Sequence, residues 1–222
     1  MRISWRTEWP MWLLLGAQFL LAAGSWSGAP ERVPAHWALE GRTEGDGSRL
    51  QGLLLLPLVS LGVYLAMLFA PHVDLRRGAL PQFAGSYTIL RFAVLALMTA
   101  IYGMIQLGLR GDQLPLTRVV PLSLGALFVV IGYQLGRLRL SALAAERLPW
   151  ALADQESWAR TNRLAGRLLI GAGGTLLLAG ALGSPLLMVV AVAGTVLGSI
   201  GLIVYSYRAW APRPPGDSVD PA

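Results

Sequence analysis

The stretch Leu50-Gln51-Gly52-Leu53-Leu54-Leu55-Leu56-Pro57-Leu58-Val59-Ser60-Leu61-Gly62-Val63-Tyr64-Leu65-Ala66-Met67-Leu68-Phe69-Ala70 runs for 21 residues without a charged side chain. A helix of that length rises about 31 Å, enough to cross the hydrocarbon of a bilayer. Working outward, five further stretches have similar length and character: 9–25, 84–109, 114–135, 164–182 and 185–207. The chain of 222 residues is 55% hydrophobic and only 14% charged, which is too few charges to cover a soluble domain of this size. The expectation is an all-α integral membrane protein of six transmembrane helices.

The distribution of arginine sets the expected orientation. With the N-terminus inside, the inner segments carry Arg2, Arg6, Arg76, Arg77, Arg137, Arg139, Arg147, Arg160, Arg163, Arg167, Arg208 and Arg213. The outer segments carry Arg32, Arg42, Arg49, Arg110 and Arg118. This asymmetry follows the positive-inside rule, so both termini are expected in the cytoplasm. The net charge of +6 brackets the spans and forms no continuous basic stripe, which argues against a nucleic-acid partner. Arg2 and Arg6 followed by the apolar run 11–23 resemble a signal peptide, and cleavage stays open. A retained first span is favoured, because an even number of spans returns the arginine-rich C-terminus to the inside.

Chemistry is constrained by what the chain lacks. It has no cysteine and no lysine, so thiolate nucleophiles, disulfides and Schiff bases are excluded. Two separated histidines, His36 and His72, allow few nucleophile–base pairs, and an enzyme is the weakest class of function. No cofactor motif is visible.

Three regions stand out. The first is the polar segment 137–163 between spans four and five. Asp154 suits a helix N-cap, and Asp154 with Glu156 places negative charge on the first turn. Glu156 and Arg160 stand four apart and can pair. Arg160, Arg163 and Arg167 follow at spacings of three and four, on one face. Headgroup anchoring accounts for these arginines and for Trp158, but not for the Pro149-Trp150 turn before the helix.

The second region is the loop 26–49, with Pro34, His36, Trp37, Gly41, Gly47 and Arg49 as candidate ligand-recognition residues. Pro34 holds the chain extended, and Asp46-Gly47 is a turn signal. Three roles stay open for His36: organising the loop by hydrogen bonding, contacting a ligand, or binding a metal with Glu40 four residues on. Metal binding is the least favoured, since Pro34 and Gly41 leave little room for a helix.

The third region is intramembrane. Gln18, Arg91, Gln106 and Gln134 need partners in hydrocarbon. Arg91 is expected to snorkel toward the inner headgroups; the sharper alternative is a polar cavity lined by these four. Gly132-x3-Gly136 and Gly194-x3-Gly198 match the close-packing pattern of membrane helices, read as intramolecular packing with a weaker homodimer alternative.

Arg147-x-Pro149-Trp150-x-Leu152, followed by Trp158 and Thr161 in the next helix, resembles the signature of the SdpI family. Pro34-x-His36-Trp37-x3-Gly41, then Gly47-Ser48-Arg49, resembles a short N-terminal domain often joined to it. Here Leu148 and Ala151 replace two threonines of the family pattern, and Arg49 replaces a lysine. The resemblance implies a six-span protein of the bacterial inner membrane that binds a secreted toxic peptide, protects against it, and signals to a cytoplasmic partner. The implied organisation is a two-span unit over 1–70, a four-span bundle over 71–208 with the motif loop 137–163, and a disordered tail over 209–222. A small-solute or ion transporter is the alternative, although no pair of spans is interrupted in a repeated way.

Overall fold

The computed structural model describes residues 5–37, 43–73, 84–110, 116–135 and 155–210. Helix α1 spans Trp5–Ser25, and a hairpin follows with strands β1, Arg32–Trp37, and β2, Thr43–Ser48. Then come α2, Arg49–Val73, and α3, Ala84–Leu109. The remaining helices are α4, Leu116–Leu135, α5, Gln155–Leu182, and α6, Pro185–Trp210.

Helices α2 to α6 each contain a segment long and apolar enough to cross a membrane. Their outward faces are greasy: Leu186, Leu197, Val189 and Ile203 on α6 are all more than 60% exposed. A soluble monomer does not tolerate such a surface, whereas lipid does. The chain is a multi-pass membrane protein.

The expectation of a helical membrane protein holds, and that of six spans holds in part. Five helices, not six, meet the length-and-apolarity criterion among the described residues. Helix α1 has 21 residues, long enough to span, but Glu8, Gln18 and three tryptophans dilute its apolar character. The structured first loop takes the form of a two-stranded antiparallel sheet. Asp46 and Gly47 lie within β2, opposite Pro34 and Val33, and do not form the turn. Pro34 does lie in extended chain, and the register shifts on either side of His36. A proline cannot donate to the ladder, so irregular pairing beside it is expected.

The helices form two packing groups. Helices α1, α2 and α3 contact one another, and the hairpin rests on α2 with β1 also reaching α3. Helix α3 leads to α4, α4 packs most extensively on α5, and α5 packs on α6. The α4–α5 contact is a close antiparallel crossing built on glycine. A Cβ at Gly132 would lie 2.6 Å from the Gly166 carbonyl oxygen, and one at Gly125 2.8 Å from that of Gly173. One at Gly180 would meet the Arg118 carbonyl oxygen at 2.7 Å. The contacts step by seven residues along both helices, so only glycine lets these backbones touch. Of the Gly-x3-Gly pairs, Gly132 belongs to this contact, whereas Gly194 faces open space, Gly198 meets Leu168 at ordinary distance, and Gly136 lies outside the described residues.

The α5–α6 connection is short, as its sequence implies. Gly183 has φ of 62°, its N–H donates to the Gly180 carbonyl, and the Ser184 N–H donates to the Ala179 carbonyl. That is a Schellman ending, which needs the left-handed conformation glycine supplies. Ser184 then caps α6 through Leu187 N–H, with Pro185 at the first helical position. Helix α6 continues to Trp210, past the start of the expected tail at 209.

Candidate functional site

The helices α1 and α3 run parallel and are joined by three polar links. At the end away from the hairpin, Arg91 grips Glu8 with both guanidinium branches, at 3.0 and 2.6 Å. Both side chains are almost fully buried. From α2 the Tyr64 hydroxyl donates to the same carboxylate at 2.9 Å and accepts from Trp12 Nε1 at 2.8 Å. The Arg91 guanidinium also lies over the Tyr64 ring, 5.2 Å from its centre. A buried charge pair persists only when its remaining hydrogen-bonding positions are met, and here a phenol and a ring face contribute.

Further along, Gln18 Nε2 donates to Thr99 Oγ1 at 2.9 Å. Toward the hairpin, Ser25 donates to Gln106 Oε1 at 2.6 Å, Gln106 donates to the Tyr102 hydroxyl at 2.6 Å, and that hydroxyl donates to the Leu53 carbonyl at 2.9 Å. Apolar side chains separate the rungs: Met11, Leu15, Tyr64 and Leu95 form a buried cluster. On α1 the inward positions Glu8, Met11, Leu15, Gln18, Ala22 and Ser25 follow a three-four spacing, the seam of a left-handed helix pair.

Three of the four predicted intramembrane residues, Gln18, Arg91 and Gln106, therefore meet on one seam. Gln134 is buried on α4. Arg91 does not snorkel; it is 2% exposed and turned to Glu8. Glu8, Tyr64 and Thr99 escaped sequence reasoning. The available signal was a carboxylate at the edge of the first apolar stretch and a lone guanidinium in the third, opposite charges that hydrocarbon forces together.

At the other end of α2 the hairpin is pinned in several ways. Val33 is fully buried, and a Cβ on Gly52 would collide with Val33 Cγ1. The Arg49 N–H donates to the Glu31 carbonyl at 3.0 Å, and Arg49 Nε reaches the Pro30 carbonyl at 3.4 Å. Ser48 and Gln51 form a reciprocal capping box at the start of α2: the Ser48 N–H donates to Gln51 Oε1 and the Gln51 N–H to Ser48 Oγ. Of the predicted loop residues, Arg49 and Gly47 thus belong to the hairpin's foundation, Gly47 opposite Val33 and Arg49 on the chain entering β1. Pro34, His36 and Trp37 lie in β1; Gly41 falls outside the described residues. Since His36 is in a strand, a helical spacing to Glu40 does not arise.

In the polar segment, Arg147, Pro149, Trp150, Leu152 and Asp154 lie outside the described residues. Trp158 and Thr161 lie in the first two turns of α5. Thr161 is buried, and its Oγ1 has no hydrogen-bond partner. It sits at the same end of the α4–α5 crossing as Gln134, given Gly132 opposite Gly166. Arg163 and Arg167 are exposed, as headgroup anchors would be. Among the described residues no group of three or more His, Asp or Glu side chains forms a metal site.

Residues 141–206 match the SdpI/YfhL protein family, and residues 13–61 match a domain of unknown function, DUF1648. The second match takes in most of α1, the hairpin and the first half of α2. No curated protein and no solved structure matches the chain. The chain carries an SdpI/YfhL family domain behind an N-terminal DUF1648 domain.

Proposed function

We propose that this is an immunity protein of the bacterial inner membrane, which recognises a secreted toxic peptide at its outer face and protects the cell that carries it. The observation that carries the reading is the hairpin. A two-stranded ribbon is marginal alone, yet this one is fixed to the bundle by Val33 in the Gly52 notch and by Arg49. A ribbon fixed at its base suits an extended or amphipathic peptide, whose backbone can add to a strand. The arginine distribution supports an outer position for the ribbon and cytoplasmic termini. Helix α1 then crosses as a sixth span, its Glu8 and Gln18 answered by Arg91 and Thr99. The residues that carry the family resemblance, around Arg147 and Trp150, would serve a cytoplasmic regulator at the other face.

Expression of the full chain in sensitive cells, challenged with a panel of secreted amphipathic peptides, tests the reading. Survival against at least one peptide is expected. No protection across the panel, together with solute flux through liposomes holding the pure protein, would favour transport. The buried polar seam is the feature that favours that second reading. Its side chains are largely spent on one another, which is the packing of a joint between helices.

A further inference from the structure

A cleft of about 320 Å³ opens between α3 and α4, lined from Ile89 to Leu97 on the one and from Ser123 to Val130 on the other. Apart from the Ser123 hydroxyl, every side chain lining it is hydrocarbon. None of the lining residues is buried, so the cleft is open to the surroundings of the bundle. Its origin lies in the sequence. Where α4 meets α5, glycines let the backbones touch; the cleft instead mixes Ala93, Ala96 and Ala126 with larger side chains. The alanine methyl groups neither fill the space nor let the backbones close it.

Position and width identify the occupant. Ile89 stands five residues from the start of α3, and Val130 five from the end of α4. Leu97 and Ser123 stand near the middles of the same two helices. The cleft thus runs from about 8 Å inside one helix end to mid-span, the depth of a single leaflet's hydrocarbon. Eight residues of helix cover about 12 Å, which gives the cleft a mean cross-section of about 27 Å². A methylene chain about 4.5 Å across at contact distance covers about 16 Å², and a helix about 10 Å across covers about 80 Å². There is room for one extended hydrocarbon chain and none for a helix of a second copy. An apolar cleft does not draw in water, and an empty one forfeits dispersion contacts along its whole lining. At this end of the bundle α5 exposes Arg163 and Arg167, level with the last turns of α4 because Gly166 lies against Gly132. Their guanidinium groups suit the phosphate of a lipid whose chain enters there.

We propose that the α3–α4 cleft is a phospholipid site, which holds one acyl chain from the leaflet at the Ala84 end of α3. The two helix groups meet along α3 and α4, so the bound chain completes the contact between them. The site is independent of peptide recognition.

Photolabelling of the full chain tests it, in vesicles of phosphatidylcholine and a phosphatidylglycerol that carries a diazirine midway along one acyl chain. Mapped adducts over 89–97 and 123–130 should be at least several-fold denser than over the exposed face of α6 from Val189 to Ile203. Ala96→Phe and Ala126→Phe fill the cleft from opposite helices, and each should cut the labelling of the facing segment by half or more. Ala193→Phe, on the exposed part of α6, should leave it unchanged. The two fillings are independent, so the test stands if one of them perturbs folding. Labelling of the cleft no denser than that of α6, which is ordinary bilayer contact, or labelling indifferent to both fillings, would overturn the site.

Discussion

Removing Glu8 should harm the protein more than removing Arg91, although each change breaks the same pair. The charges interact at roughly 4 Å, which gives about 4 kcal/mol at the effective dielectric that suits protein sites. Breaking a buried pair from one side costs about 3–5 kcal/mol in general, mostly from the charge left behind. The two leftovers differ. After Arg91→Ala, the carboxyl group keeps its Tyr64 donor and can take up a proton, so the loss should fall near the low end, about 3 kcal/mol. After Glu8→Ala, a guanidinium that cannot lose its proton remains, with Nε already lacking a protein partner, and the loss should approach about 5 kcal/mol. Replacing both, as in Glu8→Leu with Arg91→Met, removes the charges together and should recover much of the stability. Unfolding in mixed detergent–SDS micelles, followed by circular dichroism, reads all four proteins. Equal losses for the two alanine variants, or a double variant as damaged as the sum of the singles, would refute the reasoning.

Gly125→Ala or Gly173→Ala should destabilise by about 1–3 kcal/mol through overpacking, while Gly171→Ala, with open space around it, should be neutral or slightly stabilising in the same unfolding assay. Gly52→Ala should loosen the hairpin and expose it to protease added to spheroplasts, and adding Val33→Ala should restore resistance only in part, because the Cβ that alanine keeps would still lie 2.7 Å from the new one. Ser48→Ala should cost about 1 kcal/mol from the lost cap at the start of α2. The chain has no cysteine, so a single cysteine at Asp46 should react with a membrane-impermeant maleimide on intact cells, and one at Ala222 should not.

The helices were legible because their signal is length and apolarity, which bilayer thickness forces. Gly183-Ser184-Pro185 was equally readable, since each residue there has one conformational job. Helix α1 was harder. Its apolar stretch suggested a span, yet Glu8 and Gln18 make sense only with Arg91 and Thr99, more than eighty residues away, and no local pattern links them. The hairpin hid for a related reason. Asp46-Gly47 carries the residues of a turn but lies in a strand, because burial of Val33 against Gly52 fixes the register and overrides local turn preference. The intramolecular packing expected of the glycines in spans four to six holds at Gly132, but a four-residue spacing does not reveal that α4 and α5 meet at every seventh residue. Arg147 and Trp150, which carry the family resemblance, lie outside the described residues, so the resemblance there rests on sequence.

Peptide recognition by the pinned hairpin is the central claim, and survival of challenged cells tests it most directly. Cells expressing the wild-type chain and cells expressing Gly52→Leu would be matched for the amount of protein in the membrane and exposed to the same toxic peptide. Protection by the wild type and its loss in the variant is the predicted result. Equal protection from both, with the variant's hairpin demonstrably cut by protease, would contradict the claim.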